Sequence, residues 1–362
     1  MKAGRTLQEL AIELHRQVNA KRDFIVNTKD MYMEDCGECF ILSKLIETQP
    51  NALGFDEPDE VHECVPLKMT NLFHRQLGTA LDIPTKYYDK MRTESPALLS
   101  WNVDWWLKLK DETHMIRTLD KKARAFLSNR YRRLDNYEIA NAVLPVFSEM
   151  KDAHVESCEI TETRMYIKVV NRRLEAEVSP GDIVQAGVMV SNSEVGLGSV
   201  TVMPLVYRLV CANGMIVNNL GKRKLHVGRV IDESWELYSD ETLRADDQAF
   251  MLKLADIART AIDETKFGIV IDKLKQTSET PISAPLSQVV ELSSKRYGLT
   301  QDEQDSVLLH LIEGKDLSLY GLSSAVTKAS QDVINYDRAT ALETIGWQLA
   351  NTNRRDWSDW NA

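Results

Sequence analysis

Apolar positions along this chain follow two different periods. Over residues 4–20, Leu7, Leu10, Ala11, Leu14 and Val18 recur at the spacing of one helix stripe. NLFHRQLGTAL (71–81) repeats that spacing and stops ahead of Pro84, and the tryptophan-rich LLSWNVDWWLKL (98–109) is also predicted helical. Between them lie the acidic loop DMYMEDCGEC, a short apolar run CFILSKLI, and the polar, proline-bearing QPNALGFDEPDE. From about residue 112 the period falls to two. HMIRTL, ARAFLS, RMYIKVVN, EAEVS, IVQAGVMVSNS, SVTVMPLVYRLVCANG and KLHVGRV all alternate, carry β-branched residues and are punctuated by Gly, Asn and Pro. One helix, NYEIANAVLPVFSEM (136–150), interrupts the strands, with Asp135 or Asn136 placed to cap it.

Beyond residue 235 the strand signal ends. Residues 241–276 read as a long amphipathic helical stretch with a soft spot at Gly268. SETPISAPLS follows as a hinge-like linker, and the remainder reads as a small helical bundle. The fold class is therefore α+β: a central, mostly antiparallel sheet backed by a helix, with an N-terminal helical segment and a C-terminal helical bundle. Three parts are expected: a mainly helical segment at 1–110, a basic α+β core at 111–235, and an acidic helical region at 236–362.

Composition sharpens this picture in one respect. The chain has 362 residues, 44 Lys+Arg and 54 Asp+Glu, a net charge of −10. Residues 1–100 carry −4, residues 101–230 carry +4 and residues 231–362 carry −10. No run is long and apolar enough for a membrane span, and MKAGRTLQELAIELHRQ has no signal-peptide core, so a cytosolic location is expected. The odd, scattered set of five cysteines is not a disulfide framework. Cys36, Cys39, His62 and Cys64 are the only quartet for zinc, but the single residue between His62 and Cys64 is cramped for two ligands; small buried thiols are the stronger reading.

Catalytic signatures are missing. There is no P-loop, no HExxH and no GxSxG, and the GLG of SEVGLGS precedes a strand rather than a helix, so it is no dinucleotide fingerprint. Asp135 and Glu194 are the two carboxylates to test for a nuclease metal, against their plainer reading as cap and turn residues. No cofactor, no metal and no enzyme activity is expected.

The basic residues cluster instead. KKARAFLSNRYRR (121–133) holds six cations and GKRKLHVGR (221–229) holds four. ARAFLSNRYRRLDNYEIANAVLP joins the first cluster to the capped helix, and VSNSEVGLGSVTVMPLVYRLVCANG follows it. With FHRQLGTALDIPTKYYDKM and LLSWNVDWWL ahead of them in the same order, roughly residues 65–230 resemble the phage- and plasmid-type family called domain of unknown function 932. That resemblance implies a mobile-element protein, whose plasmid relatives sit near genes of single-stranded DNA metabolism. The layout is also similar to the single-strand annealing proteins Red-beta, RecT and Erf, an analogy of fold alone.

An annealing protein needs cations to neutralise phosphates and a way to assemble, but no catalytic residue. The expected DNA-binding residues are Lys121, Lys122, Arg124, Arg130, Tyr131, Arg132, Arg133, Arg208, Lys222, Arg223, Lys224 and Arg229, with Tyr131 as a stacking face and Arg130 and Arg132 on one side of an extended strand. Single-stranded DNA is the expected partner, in a homo-oligomeric ring or filament. The acidic C-terminal region is expected to serve a host or phage replication or recombination protein, and a chain ending near Ser278 is expected to fold and bind DNA. Two alternatives are a protein-interaction module that counters a host defence system, and a metal-dependent nucleic-acid enzyme. Trp101, Trp105 and Trp106 belong either to the N-terminal core or to a subunit contact.

Overall fold

The computed structural model describes residues 1–43, 45–48, 59–62, 64–129, 131, 133–218 and 240–362. They form an α+β fold built on two sheets. The first holds β1 (Lys21–Asn27), β2 (Met31–Met33), β3 (Cys39–Leu42), β4 (Leu45–Thr48), β5 (Asp59–His62), β6 (Val65–Met69), β7 (Thr113–Leu119) and β8 (Lys122–Ser128). Their order is β2-β3-β6-β8-β7-β1-β4-β5, antiparallel except where β6 meets β8. β3 and β4 stand second and seventh in that order yet lie two residues apart in the chain. Five strand spacings of about 4.8 Å cannot be crossed flat by so short a connection, so the sheet curls strongly on itself.

Three helices, α2 (Asn71–Ala80), α3 (Thr85–Glu94) and α4 (Pro96–Leu109), join β6 to β7 and cover this sheet. Phe73, Leu77, Leu99, Val103 and Leu107 from the helices meet Phe24, Phe40, Ile116 and Phe126 from the strands in one core. The N-terminal part thus adds six strands, β1–β6, to its helices. The boundary expected near residue 110 runs through a sheet, because β1 pairs with β7 along seven residues. CFILSKLI divides into β3 and β4 rather than forming one run.

The second sheet is a five-stranded antiparallel meander of β9 (Ala153–Ile160), β10 (Met165–Ser179), β11 (Asp182–Asn192), β12 (Thr201–Arg208) and β13 (Asn213–Ile216). RMYIKVVN and EAEVS are one strand, β10, whose pairing with β11 shifts between Asn171 and Glu175. One face is covered by α1 (Leu7–Ala20), α5 (Asn136–Glu149) and α6 (Asp240–Arg259), which pack on Ile167, Val169, Val188 and Val190. α7 (Glu264–Ser278) continues that cover over Val184, Ala186 and Val206. The break in the long helical stretch falls at residues 260–263, where Asp263 accepts the Lys266 amide at 2.8 Å, and Gly268 lies inside α7. A capping carboxylate ends one helix and starts the next more decisively than one glycine. KLHVGRV lies outside the described residues.

The other face of the meander belongs to the chain's last part: α8 (Leu286–Tyr297), α9 (Gln301–Gly314), α10 (Leu319–Ala329), α11 (Tyr336–Ala350) and α12 (Arg354–Trp360). Tyr166 and Val170 pack with Tyr336 of α11. Lys168, with no exposed surface, donates to Glu343 at 2.6 Å and to Thr340 at 3.2 Å, and its ammonium lies 4.6 Å from the Tyr336 ring centre. Tyr320 of α10 and Trp347 of α11 reach the core under α7 instead, beside Val184 and Val206. The expected hinge is also pinned, since Ile282 donates to the Leu317 carbonyl and Leu319 to that of Thr280, both at 2.8 Å.

The bundle is therefore part of the sheet's own core and cannot be detached as a module. A chain cut after Ser278 strips that face of the meander of its cover and leaves Tyr166, Val170, Met189 and Leu205 facing water. Such a chain is expected to lose its cooperative thermal transition and aggregate, as followed by circular dichroism and limited proteolysis. A folded, monodisperse truncated chain would contradict this packing account.

Candidate nucleic-acid interface

The basic segment leads into a buried charge network between the two sheets. Arg117 sits in the middle of β7 with no exposed surface. Its Nε donates to both carboxylate oxygens of Asp23 at 3.1 Å, its Nη2 to Asp135 at 2.6 Å and its Nη1 to the Glu194 carbonyl at 3.0 Å. Lys21, equally buried at the start of β1, donates to the Glu194 carboxylate. Arg124 on β8 donates to the other oxygen of Glu194 at 2.6 Å, and the Asn136 amide, at the start of α5, donates to the first at 2.7 Å. Glu194, from the loop after β11, is thus clasped by two strands of the first sheet and a helix N-terminus, where a carboxylate is favoured.

These contacts set the ionisation of the carboxyls. Burial opposes charge on Asp135, but Arg117 and Lys21 hold it well below the usual carboxylate range. Burial likewise opposes charge on Glu194, and Lys21 and Arg124 keep it low. Glu138 goes the other way: burial, then the nearby charge of Asp135, pushes it up to about 8. Its carboxyl accepts the Asp135 amide at 3.3 Å, completing a capping box at the start of α5.

Six of the expected DNA-binding residues fall among the described ones, and they do not line one groove. Lys121 and Lys122 are exposed at the β7–β8 hairpin, whose connecting residues Asp120 and Lys121 both have positive φ, 52° and 59°, as a two-residue hairpin turn demands. Asp120 is tied to Arg16 at 2.7 Å. Arg124 is committed to Glu194, and Arg133 lies 3.6 Å from Asp23. Tyr131 is no stacking face: its hydroxyl donates to the Ser193 carbonyl at 3.1 Å, and its ring packs beside Met115, Leu127 and Val195. Arg208 stands apart on β12, bonded to Asp182 at 2.7 Å beneath the Tyr320 ring. Internal carboxylates, invisible as partners in the linear sequence, have taken these three arginines. Arg130, Arg132, Lys222, Arg223, Lys224 and Arg229 lie outside the described residues.

The same network answers the nuclease reading of Asp135 and Glu194. Both carboxylates are already neutralised by lysine and arginine, so a metal ion would have to displace Lys21, Arg117 and Arg124. The zinc quartet fails on geometry. Cys39 pairs with Lys68 and Leu42 with Val65, which sets Cys64 beyond the far end of that ladder, on the order of 10 Å from Cys39. The His62 side chain lies outside the described residues. Cys36 and Cys39 instead converge with Glu34, their donor atoms all within 4.8 Å of one another. Of the five thiols only Cys158 is buried, which corrects the expectation of buried cysteines.

A cleft of about 190 Å³ opens where the two sheets meet. Gln17, Lys122, Asn136, Thr161, Arg164 and Glu194 are among its walls, and Asp120 and Glu162 add acidic groups to them. The SEVGLGS loop forms one side. Gly196, at φ +76°, lies so close to Leu127 that a Cβ there would approach it to 2.6 Å, and Arg164 donates to the Leu197 carbonyl.

The family profile of the domain of unknown function DUF932 matches residues 125–327, more than half of the chain. The chain belongs to that family. No curated protein and no solved structure matches it. The DUF932 match begins inside β8, after the motifs of residues 65–124, and runs into α10, past the end expected near residue 230. That extent follows the packing, because α5–α7 and α10 cover the meander. Among the described residues of this DUF932 protein, no helix is long and apolar enough to cross a membrane.

The raised Glu138 carboxyl gives a test of the network. Between about pH 4.5 and 8 the folded chain holds a proton there that the unfolded chain releases, so stability falls as pH rises through this window. Each unit of separation is worth about 1.4 kcal/mol. Glu138→Gln keeps the capping acceptor without the charge and is expected to lose less stability than wild type, by a few kcal/mol at most, between pH 5 and pH 8. Urea melts at both pH values decide it; equal losses would contradict this ionisation.

Proposed function

We propose that this DUF932 protein binds single-stranded DNA and promotes its annealing or protection as an assembled scaffold, without nucleotide hydrolysis. The observation that carries the reading is the mouth of the inter-sheet cleft. Lys122 lines one rim, with exposed Lys121 next to it in the hairpin turn, and Arg164 stands in the wall beside Gln17, Asn136 and Thr161. Among the described residues Lys121 and Lys122 have no carboxylate partner, whereas Asp120 and Glu194 on the same walls are tied to cations. A phosphate backbone can meet two lysines free of carboxylate partners there, beside Glu162, the single acid of the walls without a cation partner among the described residues.

Annealing also needs more than one subunit, and α4 supports that. Leu99, Val103 and Leu107 bury one face, while Leu98, Trp101, Trp105 and Leu109 form an apolar stripe on the other. Trp101, Trp105 and Trp106 are 64%, 54% and 43% exposed, so they are not core residues. Together they leave roughly 400 Å² of aromatic surface in water, taking about 250 Å² for each whole side chain. That is about half of one side of a standard protein interface. Glu94 precedes α4 and Lys108 lies in its last turn, so two-fold antiparallel pairing with a second copy sets acid against base at both ends.

Two measurements test the reading. Lys121→Ala/Lys122→Ala/Arg164→Gln is expected to weaken single-stranded DNA binding irrespective of sequence, lowering the log–log salt slope by about 0.7 for each phosphate that is no longer neutralised. Unchanged affinity and slope would remove the cleft mouth from the reading. Light scattering of the wild type is expected to give a mass above the monomer that Trp101→Ser/Trp105→Ser reduces; a wild-type monomer at micromolar concentration would remove the assembly.

A further inference from the structure

The turn between β2 and β3 brings together three side chains that neither the DNA reading nor the charge network uses. Glu34, Cys36 and Cys39 lie within six residues, and their ligand atoms all fall within 4.8 Å of one another. The Cys36 thiol stands 3.8 Å from a Glu34 carboxylate oxygen. With metal–sulfur bonds of about 2.3 Å and metal–oxygen bonds of about 2.0 Å, the sulfur–oxygen edge of a zinc tetrahedron is roughly 3.5 Å, so this edge needs to close by only a few tenths of an ångström.

The turn is also braced. Glu34 donates its amide to the Cys39 carbonyl at 2.9 Å, and Gly37 donates to the Glu34 carbonyl at 2.8 Å. Gly37 holds φ +69° against Pro96, where a Cβ would come within 3.2 Å of the proline ring. Glu38, between the cysteines, is gripped by Arg92 at 2.7 and 3.0 Å. Ser100 of α4 donates to the Met33 carbonyl at 2.8 Å. The three donors are therefore held near one another before any ligand arrives, on a turn open to solvent, with Glu34 and Cys36 both exposed.

We propose that Glu34, Cys36 and Cys39 bind one thiophilic divalent cation of the zinc class, with water as the fourth ligand. Paired thiolates favour zinc-class ions over magnesium or calcium, and the carboxylate completes three protein ligands. Binding releases the two thiol protons and needs no redox partner. The bound ion stiffens the β2–β3 turn, which already rests on the start of α4 through Gly37 and Pro96.

The test uses the full chain, reduced and stripped of metal. Titration with Co²⁺ is expected to reach one equivalent, with near-ultraviolet charge-transfer absorption from thiolate to metal that Zn²⁺ then abolishes by displacement. Cys36→Ser and Cys39→Ser are each expected to lose that absorption, and Glu34→Gln to weaken binding at least tenfold. Cys64→Ser is expected to bind as wild type does. Zn²⁺ should also raise the melting temperature of the wild type but not of Cys39→Ser, because a ligand bound only by the folded chain stabilises it. Three results would each overturn the proposal: no charge-transfer band at excess Co²⁺, loss of the band in Cys64→Ser with Glu34→Gln unaffected, or equal affinity in the urea-unfolded chain.

Discussion

Two fully buried cations impose the central constraint on this fold. Lys21 and Arg117 have no exposed surface, and an unpaired ion in such a place costs several kcal/mol. Their carboxylates come from far along the chain: Asp135 precedes α5, and Glu194 follows β11 in the second sheet. The curled first sheet is therefore acceptable only when the meander is docked and its loop delivers Glu194. Hydrophobic contacts such as Leu127 with Val195 fill the space beside the network, but they do not fix its position as four charge-assisted bonds do.

A second buried pair repeats the logic on the opposite side of the meander. Lys168 is acceptable inside only because Glu343 on α11 reaches it, and this commits the acidic C-terminal helices to the sheet. The charge division along the sequence, neutral up to residue 230 and −10 beyond, thus does not mark a structural division. What the acidic surface contributes lies on the outside of a bundle whose inside belongs to the core.

The regular elements were legible because their apolar residues keep period. α1, α2, α4 and α5, and the strands from β7 to β12 apart from β9, follow from spacing alone. β1 did not, since Lys21 and Asp23 occupy inward positions where alternation leads one to expect apolar residues; their partners make them acceptable, and those partners are up to 173 residues away. β9 is hidden similarly, because AHVESCEI buries little beyond Ser157 and Cys158. At the candidate site the cluster of cations was visible, but its neutralisation was not: nothing local to Arg124 or Arg208 announces Glu194 or Asp182. For α4 the sequence announces apolar residues all round, and only the packing reveals which side this chain leaves open. Lys21-x-Asp23 within a strand, and a lone arginine among the apolar residues of HMIRTL, were the available signals for the buried network.

Glu194→Gln tests that account most directly, because it keeps the shape of the side chain while removing its charge and one of its two acceptor oxygens. Chemical unfolding of wild type and variant, followed both by tryptophan emission, which reports on α4 and on the C-terminal helices, and by far-ultraviolet circular dichroism, measures stability and cooperativity together. The account predicts a loss of about 3–5 kcal/mol, with the two probes coincident in the wild type and separating in the variant as the sheets uncouple. A Glu194→Gln protein as stable as wild type, unfolding in one unchanged transition, would contradict it.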